Sequence, residues 1–189
     1  MQRAVRPPLD GEPLWHEGPL RRIGLHTNRA RRFSGGITMA DLEGSSWIDI
    51  DAAIERCFDI IADVERAPAW QGAMQKAQAL EYNAQGRPIL VETHIHAIVA
   101  DVTVWLRFDY LEPTGMRWTR ERGDLKSLSG AWQLEDRGGG RTRATYSLEI
   151  GLNRTLGLLR KGVRGPAEAK VRDLLTNRPV EGLKREAER

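Results

Sequence analysis

At 189 residues the chain has the length of one domain, with room for a full hydrophobic core. Hydrophobic residues at 40% and charged residues at 29% are globular proportions, and no apolar run approaches the roughly 18 residues a membrane span requires. The net charge of +3 is unevenly placed: Arg3, Arg6, Arg21, Arg22, Arg29, Arg31 and Arg32 face only Asp10, Glu12 and Glu17 at the start of the chain, so the remainder is neutral to slightly acidic and lacks the basic face that nucleic acid demands.

Residues 1–39 read as a disordered basic leader, broken by Pro7-Pro8, Glu12-Pro13, Gly18-Pro19 and Gly35-Gly36 and without a sustained period of either kind. Its scattered arginines suit at most a transient contact with an anionic membrane surface. The glycine pair ahead of Met39 is also what a translated ribosome-binding sequence would leave behind, which makes Met39 a candidate natural start. No secretory h-region opens the chain, so a cytoplasmic protein is expected.

The body, residues 40–189, opens with a strand over 46–50, closed by Asp51, whose carboxylate can cap the following helix. Ile54, Cys57, Phe58 and Ile61 form an i, i+3, i+4, i+7 stripe on that helix, which makes Cys57 a core thiol. As the chain's one cysteine, it excludes an internal disulfide and a cysteine-built metal site. A helical turn over 64–70 is limited by Pro68. Strands over 74–82 and 89–97 follow, joined by the turn Asn83-Ala84-Gln85-Gly86.

The clearest pattern runs from Ala100 to Tyr110. Val102, Val104, Leu106, Phe108 and Tyr110 share one face, and Asp101, Thr103, Arg107 and Asp109 the other, which is a long antiparallel strand with a dry side and a wet side. A strand over 116–121 comes next. Leu128, Gly130, Trp132 and Leu134, then Ala144, Tyr146, Leu148 and Ile150, repeat the alternation around the turn Asp136-Arg137-Gly138-Gly139-Gly140. From residue 155 onward the period is helical, with Val171, Leu174 and Leu175 as its apolar stripe, Pro166 at a helix start and Pro179 at a kink or second start. The fold class is therefore α+β: a curved antiparallel sheet of about seven strands whose apolar face is covered by the C-terminal helix.

Ile48-Asp49-Ile50-Asp51-Ala52, the run from Cys57 to Glu65, and Trp70 resemble the opening of the START-like polyketide cyclase/dehydrase and lipid-transport superfamily (SRPBCC). Trp118-Thr119, Gly130-Ala131-Trp132-Gln133-Leu134, the run from Gly140 to Tyr146, and Gly182-Leu183-Lys184-Arg185 are similar to its closing strands and helix. The branch most like this chain is that of the ubiquinone-binding START-like proteins. The resemblance implies a helix-grip fold with a cavity between sheet and helix, and a lipid, quinone or polyketide-like ligand.

On this reading Val104, Leu106, Phe108, Tyr110, Trp118, Trp132 and Tyr146 line the ligand space and face Val171 and Leu174. No cofactor is expected, and the one expected partner is the hydrophobic small molecule. The alternative is a cyclase/aromatase-type enzyme in which Tyr146 and Tyr110 supply protons and Arg120, on the face of Met116 and Trp118, holds an enolate oxygen. Buried tyrosines commonly do no more than satisfy a carbonyl, so the carrier is preferred. Glu92, His94 and His96 alternate on one strand and could ligate zinc or iron, but Ile89, Val91 and Ile95 claim the buried face, so this set points outward and no metal site is expected. A chain beginning at Met39 is expected to melt at the temperature of the full chain; a fall of several degrees would show that the leader packs on the body.

Overall fold

The alternation becomes a seven-stranded antiparallel sheet in the computed structural model, which describes residues 42–97, 100–153 and 166–189. The strands are β1 (Leu42–Ile50), β2 (Met74–Tyr82), β3 (Pro88–Ala97), β4 (Ala100–Leu111), β5 (Gly115–Gly123), β6 (Ser127–Gly138) and β7 (Arg141–Gly151). Helix α1 (Ile54–Ala62) and a 3-10 helix (Val64–Ala69) separate β1 from β2, and α2 (Pro166–Ala187) ends the chain. The order β1-β7-β6-β5-β4-β3-β2 makes a meander from β2 to β7 that closes by laying β1 beside β7. The leader lies outside the described residues.

Turn chemistry joins the strands as the residue types dictate. Asn83 Oδ1 accepts from the backbone N–H groups of Gln85 at 3.0 Å and Arg87 at 2.9 Å, while Gly86 takes φ +75°. Between β6 and β7, Gly138, Gly139 and Gly140 all have positive φ, a run that side chains would oppose. Asp136 Oδ1 accepts the Gly138 N–H at 2.8 Å.

Three expectations need correction. β1 begins at Leu42 rather than 46: Gly44, Ser45 and Ser46 lack an apolar alternation, yet continuous pairing with β7 from Leu42↔Ile150 to Ile50↔Thr142 holds them extended. Asp51 does not cap α1. The N-cap is Ala53 with no side-chain bond, and Asp51 instead donates its backbone N–H to Glu188 Oε1 at 2.9 Å. That corner is pinned by buried Thr142, whose Oγ1 donates to the Ala52 carbonyl at 2.7 Å. Finally, Pro179 lies inside an unbroken α2. Its fixed φ suits a helix, and what it costs in one lost N–H is offset by the packing around it. Pro68 likewise sits within the 3-10 helix, one residue before its end.

α2 lies on β1 and β7 and against α1. Val180, Leu183 and Ala187 are its buried stripe, spaced i, i+3, i+7. Gly182 permits the close approach: a Cβ there would run into the backbone carbonyl of Trp70. The last carbonyls of the helix are taken by Arg56, whose Nε donates to Ala187 O at 2.5 Å and whose Nη2 donates to Glu186 O at 3.4 Å. At the opposite edge of the sheet, Glu65 of the 3-10 helix accepts the Ala79 N–H and the Tyr82 hydroxyl, each at 3.0 Å.

Replacing Gly182 with alanine removes a helix-breaking residue but drives a methyl into Trp70. The clash prevails: Gly182→Ala is expected to lose about 1–3 kcal/mol despite a propensity gain of about 1 kcal/mol. Urea denaturation measures it, and a stabilised variant would contradict this seating of α2.

Candidate functional site

Strand register assembles the concave face. Tyr110 pairs with Met116, Met116 with Trp132 and Trp132 with Tyr146, so one row across β4 to β7 carries four large side chains on the same side. The next row runs Phe108, Trp118, Gly130, Leu148. Gly130 is needed there because the Trp118 ring folds over it; a Cβ would strike Cζ2 of the indole. The outcome is a continuous line of rings: Phe58–Tyr110 at 6.5 Å between centroids, Tyr110–Phe108 at 6.4 Å, Phe108–Trp118 at 5.9 Å, Trp118–Tyr146 at 5.6 Å, Tyr146–Trp132 at 4.7 Å and Trp132–Trp70 at 6.2 Å.

Of the residues assigned to the ligand space, Val104, Leu106, Phe108, Trp118, Trp132 and Tyr146 are all buried in one cluster, and Tyr110 packs against it half-buried. Val171 and Leu174 fall on α2, but their side chains lie outside the described residues. Phe58 and Trp70 complete the two ends of the ring line, although alternation on the strands gives no hint of it; both come from segments outside the strands that only the tertiary fold brings to the sheet. α1 and the 3-10 helix close this end of the concave face, α1 on β6 and β7 and the 3-10 helix on β2.

The polar groups on this face are few. Tyr110 donates its hydroxyl to the Pro88 carbonyl at 2.6 Å, the role an ordinary structural tyrosine plays. Its pKa lies well above the usual tyrosine range because burial disfavours the phenolate, a push that Arg87 only partly opposes. Burial alone raises Tyr146 in the same direction. The indole Nε1 of Trp132 is buried without a hydrogen-bond partner, as is Nε of Arg120. Arg120 pairs in register with Leu106 and so shares the inward side; its Nη2 donates to the Gly123 carbonyl at 3.0 Å.

Glu92, His94 and His96 lie on the outward side of β3, where His94 Nε2 meets Glu92 Oε1 at 2.9 Å and His96 Nδ1 meets Asp101 Oδ1 at 2.6 Å. Among the described residues no three His, Cys, Asp or Glu side chains are grouped to hold a metal ion. Cys57 is buried in the core, and its thiol pKa is raised by that burial.

A curved antiparallel sheet with an apolar concave side, two short helical segments after its first strand and a terminal helix across it define the helix-grip class. The sequence profile of the family described as polyketide cyclase / dehydrase and lipid transport matches residues 50–175, and the chain belongs to that family. Among solved structures it is similar to a START superfamily protein from Mycobacterium smegmatis, with TM-score 0.65 and 17% identity over 77% of this chain and 97% of that one. A protein from Thermus thermophilus superposes with TM-score 0.61 and 20% identity over 77% of this chain and 97% of the other. The Zhui aromatase/cyclase from a Streptomyces species does so with TM-score 0.59 and 17% identity over 79% and 95%. A sequence search of curated proteins returns no match. No helix among the described residues is long and apolar enough to cross a membrane.

The environments of the tyrosines give a pH signature. All three tyrosines of the chain, Tyr82, Tyr110 and Tyr146, hold their protons more tightly in the folded state, Tyr82 through its bond to Glu65. A raised folded pKa contributes stability that is complete below the unfolded value of 10.0 and is lost as pH rises above it. Buried Tyr146 alone is expected to steepen that loss by about 1.4 kcal/mol per pH unit, and Tyr146→Phe to remove this component in denaturation measured at stepped alkaline pH. Phenolate absorbance from still-folded protein near the ordinary tyrosine pKa would contradict the assignment.

Proposed function

We propose that the protein binds and carries a hydrophobic small molecule of lipid, quinone or polyketide-like type against the ring-lined concave face of its sheet. The observation that carries this reading is the ring line itself, running from Phe58 to Trp70, with few ionisable groups on that side among the described residues. Aromatic faces offer a large apolar area to flat or extended ligands and demand little in return.

The second reading, an aromatase/cyclase, is favoured by Tyr146 and Arg120 sharing that face. It asks more of them than their chemistry supplies. A general acid or base works best with a pKa near the operating pH, and burial moves both inward tyrosines away from it. Tyr110 already donates its hydroxyl hydrogen bond to Pro88 O. Arginine holds its charge throughout and can stabilise an enolate but cannot shuttle a proton.

Native mass spectrometry of protein purified without detergent is expected to show a retained small-molecule mass. Tyr146→Phe is expected to leave affinity for that molecule, or for a fluorescent quinone, within about 1 kcal/mol, the net worth of one neutral hydrogen bond. Turnover of a linear polyketide that Tyr146→Phe abolishes in a folded protein would replace the carrier reading with the cyclase.

A further inference from the structure

Most arginines of the sheet point outward and have partners. Arg107 lies between Glu121 at 2.6 Å and Glu81 at 3.2 Å, Arg117 meets Asp109 at 3.0 Å, and Arg143 grips Asp49 at 2.8 and 2.9 Å. Arg122 stacks over Trp105 with its guanidinium carbon 4.6 Å from the ring centre. Arg120 is the exception: plain alternation with Met116 and Trp118 turns it inward, and a local defect in the strand follows it. Trp105 pairs with Arg122 and Leu106 with Arg120, so Glu121 is an extra residue, a β-bulge that keeps Glu121 and Arg122 together on the outer side while Arg120 stays inside.

The bulge also curls the end of β5. Gly123, at φ +123°, pairs with Val104, and a Cβ on it would strike the Thr103 carbonyl. With no side chain there, the Gly123 carbonyl is free to receive Nη2 of Arg120 at 3.0 Å, which fixes the guanidinium over the concave face. One donor of five is thereby used, and Nε is buried with no partner. The neighbouring carboxylates are engaged elsewhere: Glu121 with Arg107, and Asp124 through Oδ2 with the Thr103 N–H at 2.7 Å. Among the described residues Arg120 makes no ion pair.

A half-buried lysine or carboxyl group can escape such a position by neutralising, but a guanidinium cannot. Its charge calls for an acceptor, and the acceptor that matches its planar fork is a carboxylate. Leu106 lies directly across the ladder, and Trp118 is the next inward residue along β5, so an apolar surface begins beside the guanidinium. The other end of the concave face is closed by α1 and the 3-10 helix.

We infer that Arg120 is the headgroup anchor of the ligand site and that the ligand is an amphipath bearing a carboxylate, whose apolar body lies along the ring line. This rests on the carrier reading and narrows it to hydrophobic acids over neutral hydrophobes such as quinones or alcohols. Carboxylate binding is a charge-assisted contact in a place that water reaches poorly, so it separates an acid from its alcohol by roughly ten- to a hundredfold.

The test uses the full chain and two probes of equal chain length, lauric acid and dodecanol, each displacing the neutral dye Nile red at neutral pH. The expected result is tighter binding of the acid by at least tenfold, lost in Arg120→Gln with dodecanol affinity unchanged and partly kept in Arg120→Lys, with circular dichroism confirming folded variants. Equal binding of acid and alcohol by the unmodified protein overturns the anchor while leaving the carrier reading intact, and needs no variant. Acid preference that survives Arg120→Gln also overturns it. Failure of both probes to bind overturns the anchor together with the carrier reading beneath it.

Discussion

The concave side of the sheet collects apolar side chains from four consecutive strands, β4 to β7, and nothing within the sheet can keep them from water. The covering elements supply that burial, and their placement sets the rest of the structure. α2 brings Val180 and Leu183 down onto β1, β7 and α1, a pair of burials worth about 3–6 kcal/mol together. The polar contacts around the same helix, such as Lys184 with Glu188, are exposed or partly so and contribute at most about 1 kcal/mol. Hydrophobic seating therefore holds the helix, while the Arg56 and Glu188 contacts fix where its end falls.

The two sides of the sheet divide the chemistry. The outer side is a mesh of charge pairs in water, each of small energetic weight, that keep the strands polar and in register. Among the described residues the inner side carries little charge, and burial there is why its tyrosines resist ionisation. Membership of a family that joins cyclases with lipid-transport proteins fits a scaffold whose common requirement is an apolar surface. Chemistry is then decided by which few polar groups face inward.

Much of this is legible in the sequence because strands announce themselves by a period of two. That period puts β2 at its observed ends and β4 within a residue of them, and the inward sets of β4 to β7 follow directly. Local rules fail where long-range contacts outweigh them. Gly44 to Ser46 carry no strand signal of their own and are extended because β7 pairs with them. Pro179 should end a helix by itself and does not, since the packed stripe around it continues. Asp51 has the chemistry of a cap, but its backbone is claimed by Glu188, 137 positions away. At the site, the residues on strands can be listed in advance, whereas Phe58 and Trp70 arrive from outside them. Arg120 is placed inward by the same alternation, whereas the bulge at Glu121, which keeps Arg122 on the outer side, leaves no mark in the order of residues.

An open sheet has two unpaired borders, and here they are β1 and β2. β1 has α2 packed along it. β2 carries the exposed Leu80 and Tyr82, the composition of a border that recruits strands from other molecules. Glu65 intervenes by occupying the Ala79 N–H and tying down the Tyr82 hydroxyl, setting a carboxylate where an incoming strand would have to dock its carbonyls. One carboxylate thus both seats the 3-10 helix on β2 and takes up part of the hydrogen-bonding capacity by which that border would pair with another strand.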